Sequence, residues 1–421
     1  MQINTGDTAW LLISTALVML MTPALSLFYG GMVRSKNILA TLMQSFVSLG
    51  VISILWVLYG YSLSFGPDFH HIIGNLDWVM LHHVGAEPYA TYSSTVPHLL
   101  FMLFQMMFAV ITPALITGAF AERFKFKTYL VFLVAWFTFV YCPIAHWVWG
   151  QGGWIKEMGG LDFAGGMVVH IASGMSALVA TLIIGKRMGW KKGHMSPHNL
   201  SLTLLGASLL WFGWFGFNAG SALGANALAV KAFLTTQLSA AAAALSWTLI
   251  EWKRSRHPST LGVASGAIAG LVAITPAAGF VSPFAAIVIG VVAGIICYVA
   301  VRTKFKLNID DSLDAVGIHG VGGIWGSIAT GILASTGLIA GNWSLLKIQL
   351  IGTLSTMAYC LVMTSIIMVI LDKTMGVRVA KREEVLGLDI SQHGERGYNL
   401  GYNLEDMDIM NSFAKEHGLI S

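Results

Sequence analysis

The stretch that decides the fold is Asp162-Phe-Ala-Gly-Gly-Met-Val-Val-His170-Ile-Ala-Ser-Gly174, together with its echo, Asp314-Ala-Val-Gly-Ile-His319-Gly-Val-Gly-Gly323. Each stretch begins a long apolar run with an aspartate and carries a histidine one or two helical turns further on. A glycine follows four residues after each histidine. An ionisable residue deep in an apolar run is costly to bury, which makes it a candidate functional residue. The repetition predicts two related halves with one such histidine in each.

The overall composition indicates that these runs lie in a membrane. Of the 421 residues, 56% are hydrophobic and only 10% are charged, whereas about a quarter of the residues in an average soluble domain are charged. An apolar run of about 20 residues is long enough to cross the ~30 Å hydrocarbon core as a helix. The 46 glycines suit helices that pack closely through small residues. We therefore predict an all-α membrane protein.

Eleven apolar stretches are candidates for membrane-spanning helices. They lie at about 8–30, 38–64, 98–121, 128–149, 162–185, 199–221, 227–252, 260–281, 283–302, 313–335 and 346–371. The first is interpreted as a retained helix, because residues 1–7 contain no basic residue and no Ala-x-Ala cleavage signal follows. The segment after the last span is charged and polar. We therefore predict a transmembrane domain over 1–371 and a polar tail over 372–421.

The lysines and arginines predict the orientation. With the N-terminus outside, the alternating loops on the inner side and the tail together hold 21 of the 24 basic residues. The remaining three are Lys156, Lys231 and Lys347. Because inner loops carry an excess of basic residues, this bias predicts an outside N-terminus and a cytoplasmic C-terminus.

The positions of the two histidine stretches predict an inverted repeat. They open the fifth and tenth spans, so two five-helix halves, at about 8–185 and 199–335, would run in opposite directions, with 346–371 as an extra helix. Such folds place the transport site between the halves, near the bilayer midplane. At ~1.5 Å per residue, His170 lies about 12 Å into its helix and His319 about 7–8 Å into its helix from the other face. Both histidines are therefore expected in the middle third of the bilayer.

Two imidazoles that meet in an apolar channel are expected to stay neutral, because desolvation disfavours the charged form. One ring can then donate an N–H group to the bare nitrogen of the other. The nitrogens that remain could bond a small polar solute or relay a proton. The alternative is that each histidine bonds a neighbouring backbone carbonyl and serves the structure alone.

Asp162 and Asp314 each precede one of these two helices. We interpret both as structural N-caps, which the helix dipole favours. The alternative for Asp162 is direct binding of a cation.

Two aromatic clusters and one further tryptophan are candidates for a binding site near the outer face. Phe101, Phe104 and Phe108 share one helix face, and residues 211–221 alternate glycine with aromatic residues and end in Ser221. Trp149 lies at the outer end of its span. Aromatic faces attract small cations, although an aromatic stripe can also serve packing alone.

We expect no metal ion and no cofactor. The three cysteines, Cys142, Cys297 and Cys360, lie in apolar runs at unrelated spacings and are interpreted as small buried residues.

Several motifs taken together identify a family that this chain resembles. They are Phe28-Tyr-Gly-Gly-Met-Val-Arg34, Gly118-Ala-Phe-Ala-Glu-Arg123, Asp162-Phe-Ala-Gly-Gly-Met-Val-Val-His170, Trp214-Phe-Gly-Phe-Asn-Ala-Gly-Ser221, Asp310-Asp-Ser-Leu-Asp314 with His319-Gly-Val-Gly-Gly323, and Gly387-Leu-Asp-Ile-Ser-Gln-His-Gly-Glu-Arg-Gly-Tyr398. They resemble the ammonium transporter family (Amt/Mep/Rh), on the bacterial Amt side. The resemblance covers about residues 8 to 398, and 399–421 match nothing comparable.

The resemblance implies a role for each matched residue. Phe108, Trp149 and Ser221 would recruit ammonium at the outer face, and Phe108 and Phe217 would stack as a gate below that site. Trp214 would line the pore, and His170 and His319 would form a twin-histidine pair. Asp162 would support the recruiting site.

The resemblance also implies an assembly, a location and partners. It implies a homotrimer in the bacterial inner (plasma) membrane with one pore in each subunit. The tail would dock a trimeric PII-type signalling protein, and its matched residues are Gly387, Asp389, His393, Gly394, Arg396 and Tyr398. The substrate would be ammonium or ammonia, and no nucleic acid is expected as a partner.

The predicted function is transport and not enzymatic catalysis. Ammonium can shed a proton and cross a dry pore as ammonia, whereas potassium cannot, because burying an unpaired charge is costly. The proton would return by a relay through the two histidines. The alternatives are an ammonium sensor that signals through the tail, a passive channel for a neutral gas or urea, and a redox protein with both histidines as haem ligands.

Overall fold

The computed structural model describes residues 2–192, 195–398 and 415. Within these residues, ten helices are long and apolar enough to cross a membrane, and one further apolar helix is shorter. In chain order they are α1 (Thr5–Met32), α2 (Ser35–Phe65), α3 (His98–Phe120), α4 (Phe126–Glu157), α5 (Gly166–Ile184), α6 (Leu200–Gly220), α7 (Ala227–Ser255), α8 (Thr260–Ile274), α9 (Pro283–Leu307), α10 (Val316–Leu333) and α11 (Trp343–Thr374). Their outward faces carry apolar side chains such as Phe284, Leu245 and Ile54, which are more than 60% exposed and suit contact with lipid.

The short helix α8 differs from its predicted span of 260–281. The helix ends at Ile274 because Pro276 has no backbone N–H to donate to the carbonyl four residues before it, at Val272. Residues 275–280 continue as turns, in which Ala277 N–H donates to the Ile274 carbonyl and Phe280 N–H to the Ala277 carbonyl, at 2.9 and 2.8 Å. Because α8 is shorter than the ten long helices, the count of eleven spans stays a prediction. The outside position of the N-terminus also stays a prediction.

Four of the helices contain a wider π-helical segment. These segments are Trp56–Gly60 in α2, Phe137–Tyr141 in α4, Gly166–Ile171 in α5 and Val316–Gly320 in α10. Single π turns are frequent at functional sites. The last two carry His170 and His319, so the backbone departs from α-helical geometry at both candidate residues.

Glycines bring together the helices that open the two predicted halves. On α6, a Cβ atom at Gly206 would lie 2.3 Å from the Phe28 nitrogen of α1, and one at Gly216 would lie 2.6 Å from Leu17 Cβ. Only glycine permits so close an approach of two backbones.

The helices that close the halves, α5 and α10, cross in the same way. A Cβ atom at Gly174 would lie 2.2 Å from the Gly320 nitrogen. The two histidine helices are thus in backbone contact beside the histidines, which explains the glycine four residues after His170.

A buried ion cluster ties the loops together at the end of the bundle where the tail lies. Glu122 is fully buried between Arg34, whose Nη2 lies 2.8 Å away, and Arg187, whose Nη1 lies 3.1 Å away. Arg187 also binds Asp310 at 2.8 Å. The cluster therefore joins the loops that follow α1, α3, α5 and α9.

The remaining elements lie in loops and in the tail. The α2–α3 loop holds a small antiparallel hairpin of β1 (Asp68–Phe69) and β2 (Ile73–Gly74). The tail holds two short helices, α12 (Lys381–Leu386) and α13 (Leu388–His393). Of the tail predicted over 372–421, residues 399–414 and 416–421 lie outside the described part of the chain.

Candidate functional site

The two histidines face each other inside the bundle. His170 Nδ1 and His319 Nδ1 lie 3.3 Å apart, and the ring planes are 16° from parallel with centroids 5.3 Å apart. Because two bare nitrogens would not approach so closely, one Nδ1 carries a proton and donates a hydrogen bond to the other Nδ1. None of the described residues bonds Nε2 of His170, which is buried.

The Trp214 side chain holds the His170 ring in position. Its indole stacks on the His170 ring with centroids 5.6 Å apart and planes 22° from parallel. The indole Nε1–H donates to Thr275 Oγ1 at 2.9 Å, so the residue at the break after α8 holds the tryptophan in place. This role of Thr275 was not foreseen, and the only signal for it in the sequence is its position before Pro276.

The Asp162 carboxylate caps the start of α5. It accepts backbone N–H groups from Gly165, Gly166, Met167 and Val168, at 2.9, 2.5, 2.7 and 3.3 Å. With its oxygens engaged by the helix terminus, this carboxylate agrees with the N-cap interpretation rather than with direct binding of a cation.

The interpretation of Asp314 as the cap of α10 is wrong. Asp311 is the capping residue there, and it accepts backbone N–H groups from Ala315 at 3.1 Å and from Val316 at 2.8 Å. The Asp314 carboxylate pairs instead with Lys304. Asp314 has a φ of 65°, and this turn directs its side chain away from the helix terminus that Asp311 serves.

The correction makes the two halves more alike. Asp311 precedes His319 by eight residues, as Asp162 precedes His170. Three residues after each cap the backbone has a positive φ, 119° at Gly165 and 65° at Asp314. This equal spacing is the sequence signal that could have identified Asp311.

The histidines line a narrow apolar cavity. Its volume is about 10 Å³, which is about the amount that one water molecule needs. Its walls are apolar or aromatic apart from the two imidazoles: Met21, Leu25, Phe28, Ile111, Leu115, Val169, Leu210, Trp214, Phe217 and Ile268. An ion that entered this cavity would lose its water and find few acceptors.

Two phenylalanines separate this cavity from a wider one. The rings of Phe108 and Phe217 lie with centroids 4.3 Å apart and planes 34° from parallel, and both side chains are buried. Phe217 also lies beside His170, at a centroid distance of 6.2 Å. A solute could pass between the two cavities only if these rings moved.

The wider cavity, which we call the vestibule, brings together the three predicted recruiting residues. It has a volume of about 280 Å³ and is lined by Phe108, Trp149 and Ser221, among others. The Trp149 ring stands perpendicular to Phe108 at 5.8 Å, and its Nε1–H donates to the Asp162 carbonyl at 2.8 Å. Ser221 Oγ donates to the Phe217 carbonyl at 2.8 Å, which leaves its oxygen lone pairs as acceptors.

Known proteins share the sequence that builds this arrangement. Residues 9–398 match the model of the Ammonium Transporter Family. The chain belongs to the ammonium transporter family. The resemblance inferred from the motifs is therefore confirmed, and membership supports ammonium transport by a multi-pass membrane protein rather than enzymatic catalysis.

Individual relatives agree with this membership. The chain is 52% identical to the ammonium transporter of Bacillus subtilis (strain 168) over 403 residues, which cover 93% of this chain and 98% of the relative. It is also 52% identical to the ammonium transporter Amt1 of Archaeoglobus fulgidus over 399 residues, covering 93% and 99%. Among solved structures, Mep2 of Saccharomyces cerevisiae superposes with a TM-score of 0.87 at 38% identity, covering 95% of this chain and 93% of that one.

Gln105 and Lys156 are polar residues of the transporter's vestibule that were not among the predicted site residues. Gln105 lines the vestibule, and its Oε1 is buried without a hydrogen-bond partner among the described residues. It interrupts the aromatic stripe of Phe101, Phe104 and Phe108, which is the signal that could have identified it. Lys156 also lines the vestibule, and in the sequence it appeared only as an exception to the charge bias.

The predicted tail residues of the transporter dock against its α1–α2 turn. Asp389 Oδ1 accepts the Ala40 N–H at 2.9 Å, so the tail caps the start of α2. Gly387 has a φ of 101°, and a Cβ atom there would lie 2.6 Å from the Lys36 carbonyl oxygen. Only glycine fits this approach.

The other predicted tail residues lie nearby. Tyr398 OH donates to His198 Nε2 at 2.8 Å, because His198 Nδ1 faces the Val33 carbonyl at 2.8 Å and must itself donate. The His393 ring meets Phe126 edge-on at 4.8 Å, Gly394 ends α13 with a φ of 68°, and Arg396 lines a cavity of about 150 Å³ beside Asp389.

Proposed function

We propose that the protein recruits NH4+ in the vestibule, removes a proton from it, and passes NH3 through the apolar cavity while His170 and His319 relay the proton. The observation that carries this proposal is the 3.3 Å contact between the two imidazoles within a cavity of about 10 Å³. A cavity that small and apolar strongly disfavours a permanent ion.

Recruitment uses the aromatic faces of Trp149 and Phe108 and the Ser221 oxygen. An ammonium ion against two ring faces gains cation–π attraction, on the order of 0.5–2 kcal/mol for each contact. The Ser221 lone pairs supply an acceptor for one of its N–H groups. Gln105 Oε1, which is buried without a partner among the described residues, offers a second acceptor.

Selectivity follows from what lies below the two phenylalanines. Ammonium can leave its proton behind and continue as a neutral molecule, whereas potassium has no proton to lose. The histidine nitrogens can bond ammonia through its N–H groups and lone pair. They are too few to replace the several oxygen ligands of a hydrated metal cation.

The relay uses the shared proton between the two rings. With His170 Nδ1 as the donor, a proton that reaches His170 at Nε2 can release the Nδ1 proton to His319 Nδ1, and His319 then releases its own Nε2 proton on the far side. The pair can accept another proton once both imidazoles have returned to their first tautomers. Because charge would cross the membrane with each ammonia molecule, transport would be electrogenic.

The test of this proposal is selectivity in reconstituted membranes. Replacement of both histidines with alanine should abolish the preference for ammonium over potassium, because the enlarged cavity admits water and hydrated ions. Phe215→Leu, a change outside the pore-lining set, serves as the control and should leave selectivity unchanged. Unchanged selectivity in the double variant would remove the histidines from the mechanism.

The proposed assembly is a homotrimer in the bacterial inner membrane, with the N-terminus outside and a PII-type protein bound at the cytoplasmic tail. The docked tail beside the α1–α2 turn supports a regulatory role. Truncation after Leu371 should abolish co-purification with a purified PII-type protein, and retained binding would contradict that role. A reporter fused after Ser421 should lie on the cytoplasmic side.

A further inference from the structure

We propose that Lys156 is a fixed positive charge in the vestibule that weakens ammonium binding and so sets the concentration at which transport saturates. This inference rests on the proposed recruitment of ammonium there. It starts from one of the three basic residues that fall outside the basic-rich loops.

The Lys156 ammonium group lies among the residues that would receive the substrate. Its Nζ donates to the Trp149 carbonyl at 2.9 Å and lies 5.4 Å from the centroid of the Tyr92 ring. Lys156 lines the same vestibule as Phe108 and Ser221. A primary ammonium group on a side chain is chemically an ammonium ion with one hydrogen replaced by carbon, so it uses the same kinds of contact.

The charge of Lys156 is not cancelled by an ion pair. Among the described residues, the partners of its Nζ are a neutral carbonyl and an aromatic ring, and no carboxylate lies within salt-bridge distance. The Asp162 carboxylate also lines the vestibule, and the positive end of α5, whose N–H groups it accepts, offsets its negative charge. A second cation in the vestibule is therefore repelled.

The size of the repulsion follows from Coulomb's law. For two unit charges several ångströms apart in a partly hydrated cavity, the energy corresponds to a change in affinity of about tenfold. Salt screens this effect, because the Debye length falls from about 30 Å at 0.01 M to below 10 Å above 0.1 M. Repulsion acts on every cation alike, so it changes the saturating concentration and not the selectivity below the phenylalanines.

The experiment measures uptake of radiolabelled methylammonium into proteoliposomes at about 10 mM and about 300 mM salt. Lys156→Gln should lower the half-saturating concentration about tenfold at the lower salt concentration. At the higher salt concentration the decrease should be less than about threefold. Lys156→Arg keeps the charge and should resemble the wild type. Lys347→Gln removes an exposed lysine outside the vestibule and should also have no effect.

Three results would overturn the role of Lys156. The first is a half-saturating concentration in Lys156→Gln that is unchanged or raised. The second is a half-saturating concentration in Lys156→Gln that falls by the same factor at both salt concentrations. The third is an equal fall in Lys156→Arg, which would indicate a packing effect through Trp149. Uptake without current in the wild type would contradict the proton relay and still test Lys156. A wild type that takes up no methylammonium and gives no ammonium-evoked current would contradict both proposals.

Discussion

Asp162 and Asp311 cap the two histidine helices in the same way. In each case one carboxylate oxygen accepts the N–H four residues on and the other accepts the N–H five residues on. Each aspartate lies eight residues before a histidine. The two histidines, 149 positions apart in the chain, meet as the imidazole pair. The relationship indicates that the two helix termini are built to place His170 and His319 at matching depths.

Loss of the Asp311 side chain should loosen the start of α10, whereas loss of the Asp314 charge should not. Asp311→Ala leaves the N–H groups of Ala315 and Val316 without their acceptor, at a cost of about 0.5–2 kcal/mol. Asp314→Asn removes the charge of a largely buried ion pair with Lys304 and keeps a residue type that tolerates the positive φ at this position. Hydrogen exchange at Ala315 and Val316 distinguishes the two variants and should be faster only in Asp311→Ala. Equally fast exchange there in Asp314→Asn would restore Asp314 as the residue that matters for the terminus.

Removal of the Trp149 ring should weaken recruitment without changing selectivity. Trp149→Leu removes one ring face from the vestibule, so the half-saturating concentration of ammonium should rise between about threefold and thirtyfold. Selectivity over potassium should persist, because it arises at the histidines. Trp343→Leu, which alters an exposed tryptophan at the start of α11, is the matched control. Loss of selectivity in Trp149→Leu would place discrimination in the vestibule instead.

The buried Glu122 cluster should make stability depend on acid pH. Burial alone would raise the pKa of Glu122, but the Arg34 and Arg187 guanidinium groups outweigh it and hold that pKa at about 2. Because the folded-state pKa is depressed below the ordinary value of about 4.3, the stabilisation is present above that value. It is lost as the pH falls from about 4 toward 2.

The melting temperature measured between pH 7 and pH 3 tests this contribution. Glu122→Gln should destabilise the protein at pH 7 by about 3–5 kcal/mol, because Arg187 then keeps a buried charge with one partner fewer. The difference between wild type and Glu122→Gln should shrink as the pH falls. A difference that stays constant down to pH 3 would show that the Glu122 charge does not contribute.

Loss of the Asp389 side chain should release the tail from α2. Asp389→Ala removes the acceptor of the Ala40 N–H, so we expect faster hydrogen exchange at the start of α2 and faster proteolysis within 381–393. Lys381→Ala, which alters an exposed residue of the same tail, is the control. Unchanged exchange at Ala40 in Asp389→Ala would mean that other contacts suffice to hold the tail.

Hydrophobic patterning was sufficient to locate the helices and the histidines. Each predicted span overlaps one of the described helices, because long apolar runs specify a membrane helix almost without regard to context. The pairing of His170 with His319 could also be expected, since the duplication places one histidine in each half. The end of α8 was missed although Pro276 signals it, because the apolar run continues past the proline.

The roles of individual charged residues could not be obtained in this way. Three acidic residues, Asp310, Asp311 and Asp314, lie within five positions, and their partners decide their roles. Asp310 binds Arg187 from a distant loop, Asp311 caps α10, and Asp314 pairs with Lys304. Lys156 acquires its place in the vestibule only because the chain turns at residues 150–153 within α4, which brings the last residues of α4 toward Tyr92.

The proton relay through His170 and His319 is tested most directly by charge movement. Current and isotope uptake would be measured together on proteoliposomes that contain the wild-type protein, after a jump in ammonium concentration without a jump in pH. The proposal predicts that the wild type gives an ammonium-evoked current of about one charge per molecule taken up and no potassium-evoked current. The variant with both histidines replaced by alanine should pass current with either cation. Uptake of the same amount with no current would contradict the relay and leave a passive channel for ammonia.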